Sequence, residues 1–331
     1  MEGKRLIHSI KLTNLLSFGP DGMEVELQPL NVLIGANGSG KSNFIEVFRL
    51  LQAAPNDLTQ PFRGVGANEW LWKGYEEDDE LTTASCEVLV SGEHFNLFPR
   101  LRHSRQEFIA LRHSLDISSM SDGRLIVVEE NVREEYNNTP NKESFDLFHK
   151  SGPNVTLMSR RIGRVPPDST SQGLMSPQKI NWNDLKVNQS ILSQRNDPDL
   201  YPQLNYLSSQ YQAIQFYADA RLGRLTPARM PQDATLDPSL LFEDASNLAL
   251  VLNNLQSQPS VKRRILERLK LFYERVEDFN TRVIGGTVQI YFQERGLQQT
   301  VPATRLSDGT LRFLCLLVIL LHPSPPPLIC I

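Results

Sequence analysis

Residues 35–42 read "GANGSGKS", and the fold turns on what lies to either side of them. The stretch fits GxxxxGK(S/T) in full, a match that a chain of this length makes by chance about one time in a hundred. Before it, "NVLIG" is a short apolar run that predicts a buried strand. After it, "SNFIEVFRLLQAA" sets Phe44, Val47, Phe48 and Leu51 at helical spacing until Pro55. Strand, glycine-rich turn and helix is the order in which backbone N–H groups and a helix N-terminus converge on a phosphate chain. Gly35, Gly38 and Gly40, with Asn37 and Ser39 between them, let the backbone wrap closely; Lys41 reaches the β- and γ-phosphates, and the Ser42 hydroxyl ligates Mg2+. The bland alternative is a glycine-rich turn that binds nothing, and the flanking pattern argues against it.

A phosphate loop does not by itself separate GTPase, kinase and ATPase. The chain has no Asn-Lys-x-Asp stretch to read a guanine. The segment after the helix, "GANEWLWKGYEEDDE", is acidic where a small-molecule kinase would carry an arginine-rich lid. Its run Glu76 to Glu80 reads as a solvated loop.

Working outward, "LIHSIKLTNL" and "MEVELQPL" flank "SFGPDG", whose Pro20, Asp21 and Gly22 predict the turn of an opening hairpin. Alternation over 82–118 predicts antiparallel strands, and 119–185 reads as polar and loop-rich. Helical spacing returns in "EDASNLALVLNNLQ" and in "SVKRRILERLKLFYERVEDF", the latter with Ser260 as N-cap and Ile265, Leu269, Phe272 and Val276 on one face. A hairpin turning near Gly296 follows. The expected division is an ATP-binding lobe over 1–118, a polar insertion over 119–213 and a second lobe over 214–331.

The chain has 331 residues, 40% hydrophobic and 22% charged, with a net charge of -4. That is ordinary for a globular protein and gives no global pull toward nucleic acid. Cys86, Cys315 and Cys330 show no CxxC spacing and read as reduced core residues, which suits a cytoplasmic location. No apolar stretch approaches the roughly 20 residues of a membrane helix, so no membrane association is expected.

"ATRLSDGTLRFLCLLVILL", residues 303–321, sets Ser307-Asp308-Gly309 before a helix apolar on every side. "GANGSGKSN" near the start with "LSDGTLRFL" near the end resembles the ABC-type ATPases of the RecF, SMC and OLD group. "ARLGRL", "EDASNLALVLNNL" and the C-terminal stretch are similar to one bacterial branch of that group. The resemblance implies an α/β P-loop NTPase of ABC-ATPase type, with a mixed β-sheet, an antiparallel lobe and a helical and loop insertion. It also implies a head that dimerises on ATP, each phosphate loop being completed in trans by Ser307 and the Gly309 N–H of the opposite subunit. Asp308 departs from the Leu-Ser-Gly-Gly-Gln form of transporters. Beside a triphosphate its carboxylate is repelled unless it points away, so helix capping or a contact across the dimer is expected of it.

The family further implies a Walker B strand ending in an acidic pair. "PLICI" matches that strand and the chain stops before the acids, so a chain incomplete at its C-terminus is expected, one that binds ATP and hardly hydrolyses it. The implied function is ATP hydrolysis coupled to DNA repair or to anti-phage defence, with a homodimer, DNA and a nuclease as the partners it admits. The alternatives are a nucleotide-gated scaffold that binds ATP and a partner without turnover, and an unrelated P-loop kinase.

Two basic stretches are candidates for DNA phosphates: Arg100, Arg102, Arg105 and Arg112 with His103 and His113, and Arg160, Arg161 and Arg164. A solvated strand face and a basic loop are the bland readings. Trp70 and Trp72 read as core anchors, and Arg221, Arg224 and Arg229 as candidates for sensing nucleotide.

Overall fold

Strand β1 (Ile7–Thr13) pairs antiparallel with β2 (Met23–Glu26), setting Ile10 opposite Val25 and Leu12 opposite Met23. The expected opening hairpin is therefore present. Its connection folds back on itself: Asn14 and Leu16 take left-handed backbone angles (φ 51° and 53°), and Leu15 bridges to Phe18 and Leu71. The structure is a computed structural model that describes residues 5–74, 82–92, 108–136, 144–160, 175–217, 222–223 and 225–331. It divides into two compact units, Met1–Ile214 and Gln215–Ile331.

In the first unit the hairpin is extended by β3 (Ala84–Ser91), β4 (Phe108–Ser119), β5 (Leu125–Tyr136), β6 (Ser144–Ser151), β7 (Asn154–Arg160) and β8 (Met175–Lys179). The result is an eight-stranded antiparallel sheet in the order β2-β1-β3-β4-β5-β6-β7-β8. β3 shows why it forms: Ala84, Cys86, Val88 and Val90 alternate into the core while Ser85, Glu87 and Leu89 face outward. The unit also holds helices α1 (Lys41–Ala53), α2 (Ile191–Gln194) and α3 (Pro202–Gln212). α3 is tied to three neighbouring strands. Tyr206 OH donates to Ser91 O at 2.7 Å, Tyr211 OH lies 3.2 Å from His113 Nδ1, and Gln203 Nε2 donates to Glu134 Oε1 at 2.8 Å. α1 packs on α3, and Gln52 Nε2 donates to Ile214 O at 2.6 Å.

Two expectations are corrected here. The stretch 119–185, read as loop-rich, contains β5 to β8. Its strands escape an apolar alternation because polar side chains are buried among them: Glu130 accepts from Ser190 Oγ and Ile191 N at 2.5 and 2.8 Å and lies 3.1 Å from His113 Nε2. "NVLIG" is neither a strand paired with another among the described residues nor buried, with Val32 72% and Ile34 91% exposed. A parallel strand is buried only where neighbouring strands and covering layers meet it.

The second unit contains β9 (Gln215–Phe216), β10 (Gln232–Asp233), α4 (Leu248–Gln256), α5 (Pro259–Phe272), β11 (Val276–Ile284), β12 (Thr287–Glu294), β13 (Val301–Pro302), α6 (Asp308–Leu320) and β14 (Ile329–Cys330). Its core joins the three helices to the β11–β12 hairpin through Leu252, Ile265, Leu269, Phe279, Phe292 and Leu314. α5 begins one residue before the expected Ser260 cap, with Pro259 as its first residue, where a fixed φ and a missing N–H cost nothing. It stops at Phe272, so Val276 opens a strand instead of extending a helical face. The β11–β12 turn at Gly285-Gly286 has φ of 57° and 81°, the two positive angles that a tight hairpin requires. Gly296 sits in the next connection, where β12 turns toward β13. β14 runs parallel to β9, with Ile329 opposite Gln215 and Cys330 opposite Phe216, as expected of a strand in "PLICI". All three cysteines are buried, and burial pushes the Cys86 and Cys315 thiols up to about 12.

Candidate nucleotide-binding site

α1 starts at Lys41 on a left-handed residue, Gly40 (φ 87°). No side chain caps its N-terminus and its first turn carries no acid. The leading N–H groups are thus left to whatever the preceding loop holds, and the helix dipole favours an anion there. Gly38 is also left-handed, at φ 81°, and nothing lies within 4 Å of a Cβ built on it. The other two glycines have a serine hydroxyl within reach of an added Cβ. A Cβ on Gly35 would lie 2.6 Å from Ser39 Oγ, and one on Gly40 would lie 2.7 Å from Ser17 Oγ and 3.6 Å from the Phe18 ring.

Lys41 Nζ folds back into the loop, donating to Gly35 O at 2.9 Å, to Ala36 O at 2.7 Å and to Ser39 Oγ at 3.3 Å. The ammonium therefore sits in the curve of residues 35–41, beside the open helix end. Ser42, the second residue of α1, is exposed. Phe44 anchors this end of the helix, meeting Phe18 edge-on at 6.5 Å and Phe48 edge-on at 5.5 Å. Ser17 and Phe18 are also neighbours of the loop; nothing in their spacing marks them, because a chain reversal brings them there.

At the second motif Ser307 caps α6. Its Oγ accepts from Thr310 N at 3.0 Å and lies 2.8 Å from Thr310 Oγ1. Either hydroxyl can donate in that pair, and when Thr310 does so the Ser307 proton is open to an incoming acceptor. Asp308 is not the cap. Its carboxylate is ion-paired with Arg229, a buried guanidinium that sequence reading set apart only as one of three arginines. Gly309 has no positive φ, and a Cβ there would touch only Phe272 and Ser307, both at 3.8 Å. The chain's own packing does not demand a glycine at 309.

The two motifs fall in different units, residues 35–42 in the first and 307–309 in the second. The other candidates separate as follows. Trp70 is buried against Phe62, its ring 5.0 Å away, while Trp72 is half-buried against Gly19. Arg112 is held by Glu87 and Glu135, which raise its pKa, and His113 is buried against Glu130 and Tyr211, so neither presents a free cation to DNA. A strand's period puts one of these adjacent residues outward and the other inward, which a basic run hides. Arg100, Arg102, His103, Arg105, Arg161, Arg164, Arg221, Arg224 and the run Glu76 to Glu80 lie outside the described residues, as does the side chain of Arg160. Among the described residues no helix is long and apolar enough to cross a membrane.

No curated protein matches the sequence. Among solved structures, an SMC head bound to the C-winged helix domain of ScpA is 13% identical over 96% of this chain and 76% of its own, with a TM-score of 0.45. An SMC head with an extended coiled coil, bound to the C-terminal domain of ScpA derived from Pyrococcus furiosus, is 11% identical over 96% and 78%, with a TM-score of 0.41. An SMC ATPase described by its ATP-driven dimerization and DNA-stimulated activation is 17% identical over 38% and 69%, with a TM-score of 0.27. The family described as "AAA domain, putative AbiEii toxin, Type IV TA system" matches residues 30–83 and 87–331. That match takes in the phosphate loop, its helix and the Ser307–Gly309 turn, and the chain belongs to this family of AAA-type P-loop ATPases.

Proposed function

We propose that the chain binds Mg-ATP in the 35–42 loop and that ATP draws two copies together, the Ser307–Gly309 turn of one completing the loop of the other. The observation that carries the reading is the start of α1: a left-handed glycine, an uncapped and acid-free first turn, and the Lys41 ammonium held in the loop's curve. An anion with several oxygens is what such an end accepts. In this reading the Lys41 ammonium turns from the Gly35 and Ala36 carbonyls to the β- and γ-phosphates. Ser42 supplies a hydroxyl to Mg2+, which when bound neutralises phosphate charge. Ser307 donates its free proton to the γ-phosphate, and Gly309 lets the phosphate approach the α6 backbone.

The cycle's output is defence against foreign DNA. The family's description, with its words "putative AbiEii toxin, Type IV TA system", supports this over a repair role. The test is the mass of the protein in solution by light scattering, with and without Mg-ATP. The expected result is a monomer that doubles in mass with saturating Mg-ATP, and a Ser307→Arg variant that binds ATP but stays single. A wild-type mass unchanged by saturating Mg-ATP overturns the pairing.

A further inference from the structure

Arg229 is the least expected residue at the second motif. Its side chain is 3% exposed, yet it is a guanidinium lying against the N-terminal end of a helix, where the dipole disfavours a cation. Four contacts hold it there. Nε donates to Leu222 O at 2.9 Å, Nη1 to Ala303 O at 3.4 Å and also to Leu306 O, and Nη2 is paired with the Asp308 carboxylate. Two of the three carbonyls, those of Ala303 and Leu306, come from the turn 303–306 that delivers the chain to Ser307, so the planar fork fixes the approach to the motif from one side. The carboxylate partner is 72% exposed and stands between Ser307 and Gly309.

We propose that Arg229 is a positioning residue that supplies the counter-charge of this motif. It pins the 303–306 turn and cancels the Asp308 carboxylate, so that the start of α6 can receive an anionic γ-phosphate presented by a second copy. The inference rests on the pairing reading above and deepens it. Without Arg229 a carboxylate would face the phosphate uncompensated, and like charges at close range repel. With it the pair is neutral and the helix dipole decides the field.

Charge cancellation has a signature that a purely structural clamp lacks. Arg229→Gln should keep the monomer's Mg-ATP affinity, which resides in the 35–42 loop, and weaken ATP-driven self-association at least tenfold. Adding Asp308→Asn to that variant removes the stranded carboxylate and should restore association to within about threefold of the wild type. Asp308→Asn alone keeps an amide oxygen that can accept from Arg229 Nη2, leaves the three carbonyl contacts of Arg229 in place, and should associate at least as tightly as the wild type. The measurements are calorimetry with Mg-ATP and concentration-dependent light scattering with Mg-ATP at saturation.

A double variant as weak as Arg229→Gln, or an Arg229→Gln chain that associates like the wild type, overturns the proposal. If Arg229→Gln does not fold, Asp308→Asn decides: association tenfold weaker than wild type overturns it, and association as tight or tighter upholds it. A wild-type chain that binds Mg-ATP and stays monomeric overturns the pairing reading and this inference with it. Failure in the variants alone leaves that reading standing.

Discussion

Gly40 and Gly309 are both small residues at the start of a helix, and the structure gives them different work. Gly40 is held at a left-handed angle with Ser17 and Phe18 against it, so a methyl group meets both a backbone penalty and a clash. Gly40→Ala should therefore lose about 1–2 kcal/mol of stability from the angle alone, and more from displacing Ser17. Gly309 has ordinary helical freedom and only van der Waals neighbours, so Gly309→Ala should melt no lower than the wild type while losing ATP-driven self-association. Thermal melting and light scattering on the same samples separate the two cases. A Gly309→Ala chain that melts well below the wild type would show that the glycine serves the fold and not the site. From sequence the two are indistinguishable, because a backbone angle and the distance to a residue far along the chain are set by folding.

At the scale of elements, α1 and α6 were legible because their signals are local: a glycine-rich turn and apolar spacing for one, a Ser/Asp start and an apolar run for the other. The end of α5 was not, since the helical spacing of Ile265, Leu269, Phe272 and Val276 runs on into β11. Nor was β5, whose inward residues include Glu130 and Glu134. A carboxylate in a strand reads as surface until its partners are known. Glu130 has three, His113, Ser190 and the Ile191 N–H, drawn from β4 and the start of α2. Glu130→Ala would take the acceptor away from His113 Nε2, the Ser190 hydroxyl and the Ile191 N–H, at about 1–3 kcal/mol for each donor left unmet. Chemical denaturation should show at least 2 kcal/mol lost, on the order of one such group, whereas Glu129→Ala, on the outer face of the same strand, should change stability by less than about 0.5 kcal/mol. Equal effects would mean that the His113–Glu130–Ser190 network does not hold the sheet to its helices.

Across the whole molecule, the proposed reading gives each unit one half of the nucleotide site: the phosphate loop in Met1–Ile214 and the Ser307–Gly309 turn in Gln215–Ile331. Both halves stood out in the sequence because each is a contiguous run whose chemistry needs no partner to be read. The pairings that support them join residues far apart, Arg229 with Asp308 and Ser17 with Gly40, and only the folded chain displays them. Mg-ATP binding at the 35–42 loop underlies every other statement about function, and calorimetric titration of the wild type and of Lys41→Ala tests it most directly. The exposed ammonium lies across the loop's curve without supporting the core, so the variant should fold. It should bind Mg-ATP at least tenfold more weakly, a loss of about 1.4 kcal/mol or more. Equal affinity in the two proteins, or no binding by the wild type, would contradict the account.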